Sequence, residues 1–546
     1  MMKKSVRIAL AVVIGTLLTA VTYYFMLPPI NLHAPSFWIY LLLVICFYSV
    51  PVGLISMFSS RRQGTYGKPK VNKVFLVVIA IPVAVLVIGH VISSQFFNAH
   101  KYASVIQVQE AVFSEDMPET DTVTNISLMD TSSAAILGNR TLGALSDVVS
   151  QYYLSSDYNQ INFRHTPKKV SNLEYVDIFR WLNNRGNGIP GYVMVDPVNN
   201  NAEYVKLNTP MRYVESGYFS DDLMRKLRFS YPTKIFSTVN FEVDDEGNPY
   251  YIVSCTKPRV GLFGAMDVNE VIVFNPCDGT SELYAVEDAP AWLDNVYDGY
   301  LACEKYDWYG TLSGGFWNSI FGQKNCKQTT DDFGYIVIGD DVWYFTGVTS
   351  VTSDESNIGF IISNARTGEY KYYPIIGAEE YSAMAAAEGK VQETGYVASF
   401  PSLINVGGQP TYIMVLKDQN GLVMLYALVN VETHNIVATG QSQQEAKEAY
   451  YKLLLDRGVI VPEKQPEAEA KSADILVKQV RLATVGGETV VYITADGGVV
   501  YKGVLADDET LILIESGQTL TVNYGETEYD AIRRILSWKL KEITES

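Results

Sequence analysis

Every acidic residue of this chain lies beyond residue 96, and the segment before it consists of apolar stretches flanked by lysine and arginine. Three such stretches, roughly Arg7 to Met26, Ser36 to Phe58 and Val74 to Ser93, each approach or exceed the ~20 residues a helix needs to cross the hydrocarbon of a bilayer. This restricts the fold of the amino-terminal part to three membrane helices. The eight basic residues before residue 96 (Lys3, Lys4, Arg7, Arg61, Arg62, Lys68, Lys70, Lys73) set the orientation, because Lys and Arg beside a span resist translocation. They place the amino terminus and the second loop inside, and the Leu27–Pro35 loop outside. The net charge of −18 divides into +8 before residue 96 and −26 after it. An odd number of spans puts the acidic remainder outside, which predicts a multi-pass cell-membrane protein with a cytoplasmic amino terminus and an extracellular carboxyl-terminal region. Tyr23-Tyr24-Phe25-Met26 stands where a cleaved leader would need small residues.

The outer region exceeds one ordinary core, so several domains are expected. A strand-turn-strand pattern recurs four times in it, at Asp196-Pro197-Val198-Asn199-Asn200, Asn275-Pro276-Cys277-Asp278-Gly279, Asn364-Ala365-Arg366-Thr367-Gly368 and Asn430-Val431-Glu432-Thr433-His434. Each turn lies between apolar runs, a hairpin signature. Gly247-Asn248-Pro249 and Gly408-Gln409-Pro410 open further strands, and helical segments precede them at Ser220–Phe229 and Ala378–Glu388. The repeating unit is thus a helix laid on an antiparallel meander. Thr141–Leu154 and Tyr175–Asn183 read as packing helices, and Ser442-Gln443-Gln444-Glu445 as a capping box. The stretch 461–471, with two prolines, reads as a linker. After it, apolar alternation predicts a small β-barrel or sandwich, and Glu528–Leu540 an amphipathic terminal helix presenting Ile532, Ile535 and Leu536.

The expected organisation is a 1–96 membrane anchor, a 97–215 α+β region, a 216–376 α+β region with an aromatic insertion, a 377–460 α+β unit with a helix, the 461–471 linker and a 472–546 β domain. The hairpins, Asn364–Tyr373 most clearly, resemble the PepSY repeats of bacterial envelope proteins, although Cys277 and Asn199 depart from the expected turn residues. The chain as a whole resembles Gram-positive three-span membrane proteins with an extracellular ectodomain of such PepSY-like repeats. The resemblance implies binding or restraint of an envelope partner and supplies no catalytic residues.

Chemistry is sparsely signalled. Asp244-Asp245-Glu246, Asp331-Asp332 and Asp340-Asp341 each adjoin a glycine between apolar strands and read as solvated turns rather than calcium ligands. His165, beside Pro167-Lys168-Lys169, and His434, within a turn, have no nucleophile elbow nearby. Cys255, Cys277, Cys303 and Cys326 fit two disulfides in any of three pairings, and equally fit free thiols. No spacing identifies a metal, cofactor or catalytic set. The acidic, exported surface argues against nucleic acid. The aromatic, glycine-rich stretch from Trp308 to Gly322 supplies the candidate interaction residues Trp308, Phe316, Trp317 and Phe321; the alternative is that Trp317 and Phe321 pin a loop to the core. The functional expectation is a non-catalytic, membrane-anchored binding or regulatory scaffold at the cell envelope, with the lipid bilayer and an envelope protein, peptide or wall polymer as partners. The alternatives are an envelope hydrolase or a structural subunit of a secretion or cell-wall machinery.

Overall fold

The computed structural model describes residues 4–61, 73–117, 119–120, 128–330, 332–352, 356–460, 471–485, 488–505, 508–526 and 532–541. The chain forms two compact units, Met1–Arg457 and Gly458–Ser546.

The first unit begins with helices Lys4–Met26, Pro35–Arg61 and Lys73–Ser93, the last continued by Gln95–Ala103. Among the described residues, Ala9–Met26 is long and apolar enough to cross a membrane, and Val77–Ser93 also qualifies when joined to Gln95–Ala103 across a 51° bend. Arg62, Lys68 and Lys70 of the basic loop lie outside the described residues.

Four antiparallel sheets follow. The first contains Tyr152–Leu154, Asn159–Phe163, Thr166–Tyr175, Ile189–Asp196 and Asn201–Met211. The second is the meander Ile235–Val243, Pro249–Val260, Gly264–Phe274 and Ser281–Ala285. The third is built on Gly334–Ile338, Asp341–Ser350, Gly359–Asn364 and Tyr370–Tyr373, with Val108–Glu110 added in parallel at one edge. The fourth includes Ser402–Val406, Gln409–Lys417, Val423–Asn430 and Val437–Gly440. Ahead of them along the chain run the helices Thr131–Gly143, Leu223–Ser230, Gly299–Leu312 and Glu380–Lys390.

All four recurring turns close the last hairpin of a sheet, and one local interaction explains each. The side-chain oxygen of the first Asp or Asn accepts from turn amides: Asp196 Oδ1 from Val198 and Asn199, Asn275 Oδ1 from Cys277, Asn364 Oδ1 from Arg366 and Thr367, and Asn430 Oδ1 from Thr433. Gly279 and Gly368 then take φ of +78° and +73°, which a side chain would disfavour.

The sheets pack in pairs. Tyr192 and Val193 of the first meet Phe241, Tyr251 and Phe274 of the second in one core. Phe345 and Phe360 of the third meet Tyr412, Met414 and Val429 of the fourth in another. On the opposite face of the third sheet, Tyr344 and Tyr370 pack on Ala302 and Tyr306 of the Gly299–Leu312 helix.

Several sequence expectations need correction. Thr141–Leu154 is not one helix: Thr131–Gly143 and Ser146–Val149 are helical, and Tyr152–Leu154 is a strand, because it pairs with Leu173–Tyr175. Tyr175 likewise belongs to that sheet, and its helix begins only at Ile178, where Asp177 accepts from Phe179 and Arg180 N–H. The Trp308–Gly322 stretch is no simple loop, since Trp308 lies within the Gly299–Leu312 helix. The Ser442 cap is present, its hydroxyl accepting from Glu445 N–H, while the Glu445 carboxylate reaches Gln441 N–H. All five cysteines are free thiols.

The second unit is a closed barrel ordered Lys471–Val485, Glu488–Ala495, Val500–Val504, Ile532–Leu540, Thr519–Glu526. The described part of the expected terminal helix, Ile532–Leu540, is therefore a strand, and residues 528–531 lie outside the described residues. Ile532–Leu540 pairs with Thr519–Glu526 on one side and with Val500–Lys502 on the other, and without it the barrel would have two open edges. Ile535 pairs with Tyr524 and Ser537 with Asn523, so Leu536 is an extra residue in a bulge. The bulge puts Ile535 and Trp538, three apart, against the same core. Of the expected linker, residues 461–470 lie outside the described residues, and Lys471 already belongs to the first barrel strand.

Candidate functional site

Lys168 and Lys169 are neighbours on the strand Thr166–Tyr175, so pleating sends their side chains to opposite faces. Lys168 Nζ meets Asp196 Oδ2 at 2.6 Å. Lys169 is 2% exposed, and its ammonium sits 5.1 Å from the centre of the Tyr335 ring on the third sheet. Among the described residues, no hydrogen bond or ion pair reaches it. Burial pulls its pKa down to about 8, an effect that the Asp130 carboxylate partly opposes.

Lys169 lines a cleft of about 410 Å³ whose walls come from the first, third and fourth sheets and from the starts of two helices. Asp130, Thr131 and Ser132 come from the first turn of Thr131–Gly143, and Asp298 and Tyr300 from that of Gly299–Leu312. Asp332, Phe333 and Tyr335 enter from the third sheet, and Phe400 to Ser402 from the fourth. Asp130 is committed to its cap on Ser133 N–H and to Lys417 at 2.5 Å. Asp298 caps its helix at Leu301 N–H, and burial raises its carboxyl pKa. A second cavity, also about 410 Å³, shares Thr131, Asp298 and Tyr300 and extends to Tyr158, Asn172 and Tyr251.

Two buried polar clusters hold these sheets in register. Glu242 of the second sheet accepts from Asp294 N–H, Asn295 N–H and Asn295 Nδ2 at 3.0, 2.8 and 2.9 Å. Asp294 in turn accepts from Asn162 N–H of the first sheet at 2.8 Å, and the Tyr344 hydroxyl of the third sheet donates to Tyr297 O. Burial raises the pKa of both Glu242 and Asp294, and their mutual repulsion adds to it for Asp294. In the other cluster, Lys305 of the helix Gly299–Leu312 meets Asp267 at 2.7 Å with both side chains buried, its ammonium 4.7 Å from the Tyr297 ring centre.

The residues singled out for interaction fall into two groups. Trp308 is 7% exposed and sets an edge against Tyr102 at 5.1 Å, a core position. Phe316 is partly buried, whereas Trp317 and Phe321 are 61% and 77% exposed and stack on each other at 5.6 Å. Phe96, just beyond the third apolar helix, packs against Phe316 and Trp317 at 5.1 and 5.6 Å. Asp244 accepts from Glu246 and Asn248 N–H as a turn residue, and Asp341 pairs with Arg366. Asp331 lies outside the described residues. No group of three or more metal-ligating side chains occurs among the described residues. Lys169 was not singled out from sequence; two consecutive lysines on a strand point to opposite faces, and only the packing of the sheet shows which one meets the cleft.

Burial also sets a pH dependence. It raises Glu174 and Glu380 to about 7 and Asp307 to about 6. Between the unfolded carboxylate value of ~4.3 and these values, the folded chain binds more protons than the unfolded one, so stability falls as pH rises. Asp196, lowered to about 2, acts below this window. Calorimetry of the full chain in detergent is expected to show the transition of the 1–457 unit moving down in temperature from pH 5 to pH 7; an upward shift would contradict the assignment.

No family model, curated protein or solved structure matches the chain, so its own geometry carries the functional reading.

Proposed function

We propose that the chain is a membrane-anchored, extracytoplasmic binding or regulatory scaffold of the cell envelope, held by three spans with the amino terminus in the cytoplasm. The observation that carries this reading is how the apolar helices join the sheets. Ile30 N–H, in the first interhelical loop, donates to Pro232 O, and Asn31 Nδ2 to Thr233 O. Arg225 and Arg228 donate to Tyr24 O and Leu27 O. Ser93, closing the third helix, accepts from Leu262 and Phe263 N–H, and the Phe263 ring fills the space beside Gly89 that any side chain there would need. The end of helix one, the loop before helix two and the end of helix three thus meet the same outer region, as an up-down-up arrangement requires.

The exposed Trp317 and Phe321, continuous with Phe96 and the exposed Phe97, suit the headgroup level, where aromatic rings concentrate. On this reading they seat the scaffold on its own membrane rather than capture a protein. The Asx-turn hairpins support reading the helix-and-meander units as PepSY-like. A cysteine placed at the exposed turn residue Asn420 tests the orientation: a membrane-impermeant thiol reagent should label it in intact cells. Crosslinking followed by purification of the full chain should then recover a discrete envelope partner. Labelling only after lysis would overturn the topology, and recovery of no partner would overturn the scaffold reading.

A further inference from the structure

The Lys169 cleft has the properties of a small-molecule site. Its volume of about 410 Å³ lies in the ~300–1,000 Å³ range of ligand pockets. A buried ammonium without a hydrogen bond is costly, because desolvation is not returned by any partner. The Tyr335 ring compensates in part. The amino-terminal turns of two helices, of 13 and 14 residues, line the same space and are already capped by their own carboxylates, Asp130 and Asp298, which leaves Lys169 as the group without a counter-ion. An anionic group beside Lys169 would complete this arrangement.

The lining also carries carboxylates. Asp332 uses Oδ1 to accept from Phe333 N–H at 2.8 Å, leaving its second oxygen uncommitted, and Asp298 lines the same cleft. The lining further includes the aromatic rings of Tyr300, Phe333, Tyr335 and Phe400. A ligand with an acid, an amine and an apolar body matches this lining of one cation, free carboxylate oxygen and aromatic rings. A dianion would meet the carboxylates unfavourably, and a simple amine would leave Lys169 unpaired.

We infer that this cleft binds a small amino-carboxylate with an apolar side chain, of free amino acid size, whose carboxylate pairs with Lys169 and whose ammonium faces Asp298 and Asp332. This deepens the scaffold reading by giving the outer region a ligand, and it is independent of topology and of any protein partner.

The test uses the full chain in detergent at neutral pH and three probes of one shape: phenylalanine, 3-phenylpropanoate, which lacks the amine, and phenethylamine, which lacks the acid. Calorimetric titration is expected to rank them in that order. Lys169→Met should retain or raise the melting temperature without ligand, since it removes a lone buried charge. It should weaken phenylalanine binding by about ten- to hundredfold, the range for a charge-assisted hydrogen bond. Asp298→Asn keeps a capping side chain and should weaken phenylalanine while sparing 3-phenylpropanoate. The inference is overturned if no probe binds, if phenethylamine binds as well as phenylalanine, or if Lys169→Met leaves phenylalanine affinity unchanged. These outcomes are separate from those of cell-surface labelling and crosslinking.

Discussion

Glu242→Ala is expected to destabilise the 1–457 unit by ~3–5 kcal/mol, the range found when one partner of a buried polar cluster is removed. Glu242 is fully buried, and three N–H groups converge on its two oxygens. Alanine removes every acceptor while leaving Asp294 N–H, Asn295 N–H and the Asn295 amide in place. Asp294 and Asn295 are themselves buried. The loss extends beyond one sheet, because Asp294 holds Asn162 of the first sheet and Asn295 Nδ2 donates to Gln160 O. Glu242→Gln retains one acceptor oxygen and should lose about half as much. Urea unfolding of the full chain, followed by tyrosine and tryptophan emission, measures both. A loss for alanine below ~1 kcal/mol, the net worth of one ordinary hydrogen bond, would show that the cluster does not hold the sheets together.

Asp267→Ala should produce a comparable loss, ~3–5 kcal/mol, for a different reason: it strands the Lys305 ammonium in the protein interior. Lys305 has its ion pair with Asp267, and its other neighbours are the faces of Tyr297 and Tyr370. The reverse substitution is expected to be milder. With Lys305→Met, Asp267 keeps Arg259 at 3.1 Å, a guanidinium about half exposed to water. Combining the two changes should restore most of the stability lost in Asp267→Ala, because a buried pair replaced by apolar groups is often neutral or stabilising. The same urea experiment on the three variants decides this. Equal losses for the two single variants would contradict the role given to Arg259, and simple additivity in the double would mean that the pair is not coupled.

Local chemistry was legible in the sequence wherever a few neighbouring residues decide the outcome. The four Asx turns depend on a side-chain oxygen reaching amides two or three residues ahead. The Ser442 cap depends on an amide three residues on. These features were located without knowledge of the fold. Trp308 shows the limit. Its sequence context, rich in aromatics and glycine, resembles that of Trp317, yet one is buried in a helix and the other lies on the surface.

Periodicity misled where the tertiary structure overrode it. Ile532, Ile535 and Leu536 have a helical spacing, but barrel closure selects a strand, in which Leu536 is an exposed bulge residue and Ile535 and Trp538 face the core. Tyr152–Leu154 has no local reason to be extended, and pairing with Leu173–Tyr175 makes it so.

By itself, the sequence determined the apolar helices, the four hairpin turns, the Ser442 cap and the β character of most of the last segment, because each follows from chain-local hydrogen bonding or from hydrophobic content. Only the tertiary structure decided which polar groups are buried. Lys168 and Lys169 are chemically identical, and which of them faces the cleft depends on sheet packing. Asn162 and Asp294 are separated by 132 residues, and Asp267 and Lys305 by 38. Their environments arise when distant strands exclude water around them, a condition that no local pattern of residues encodes.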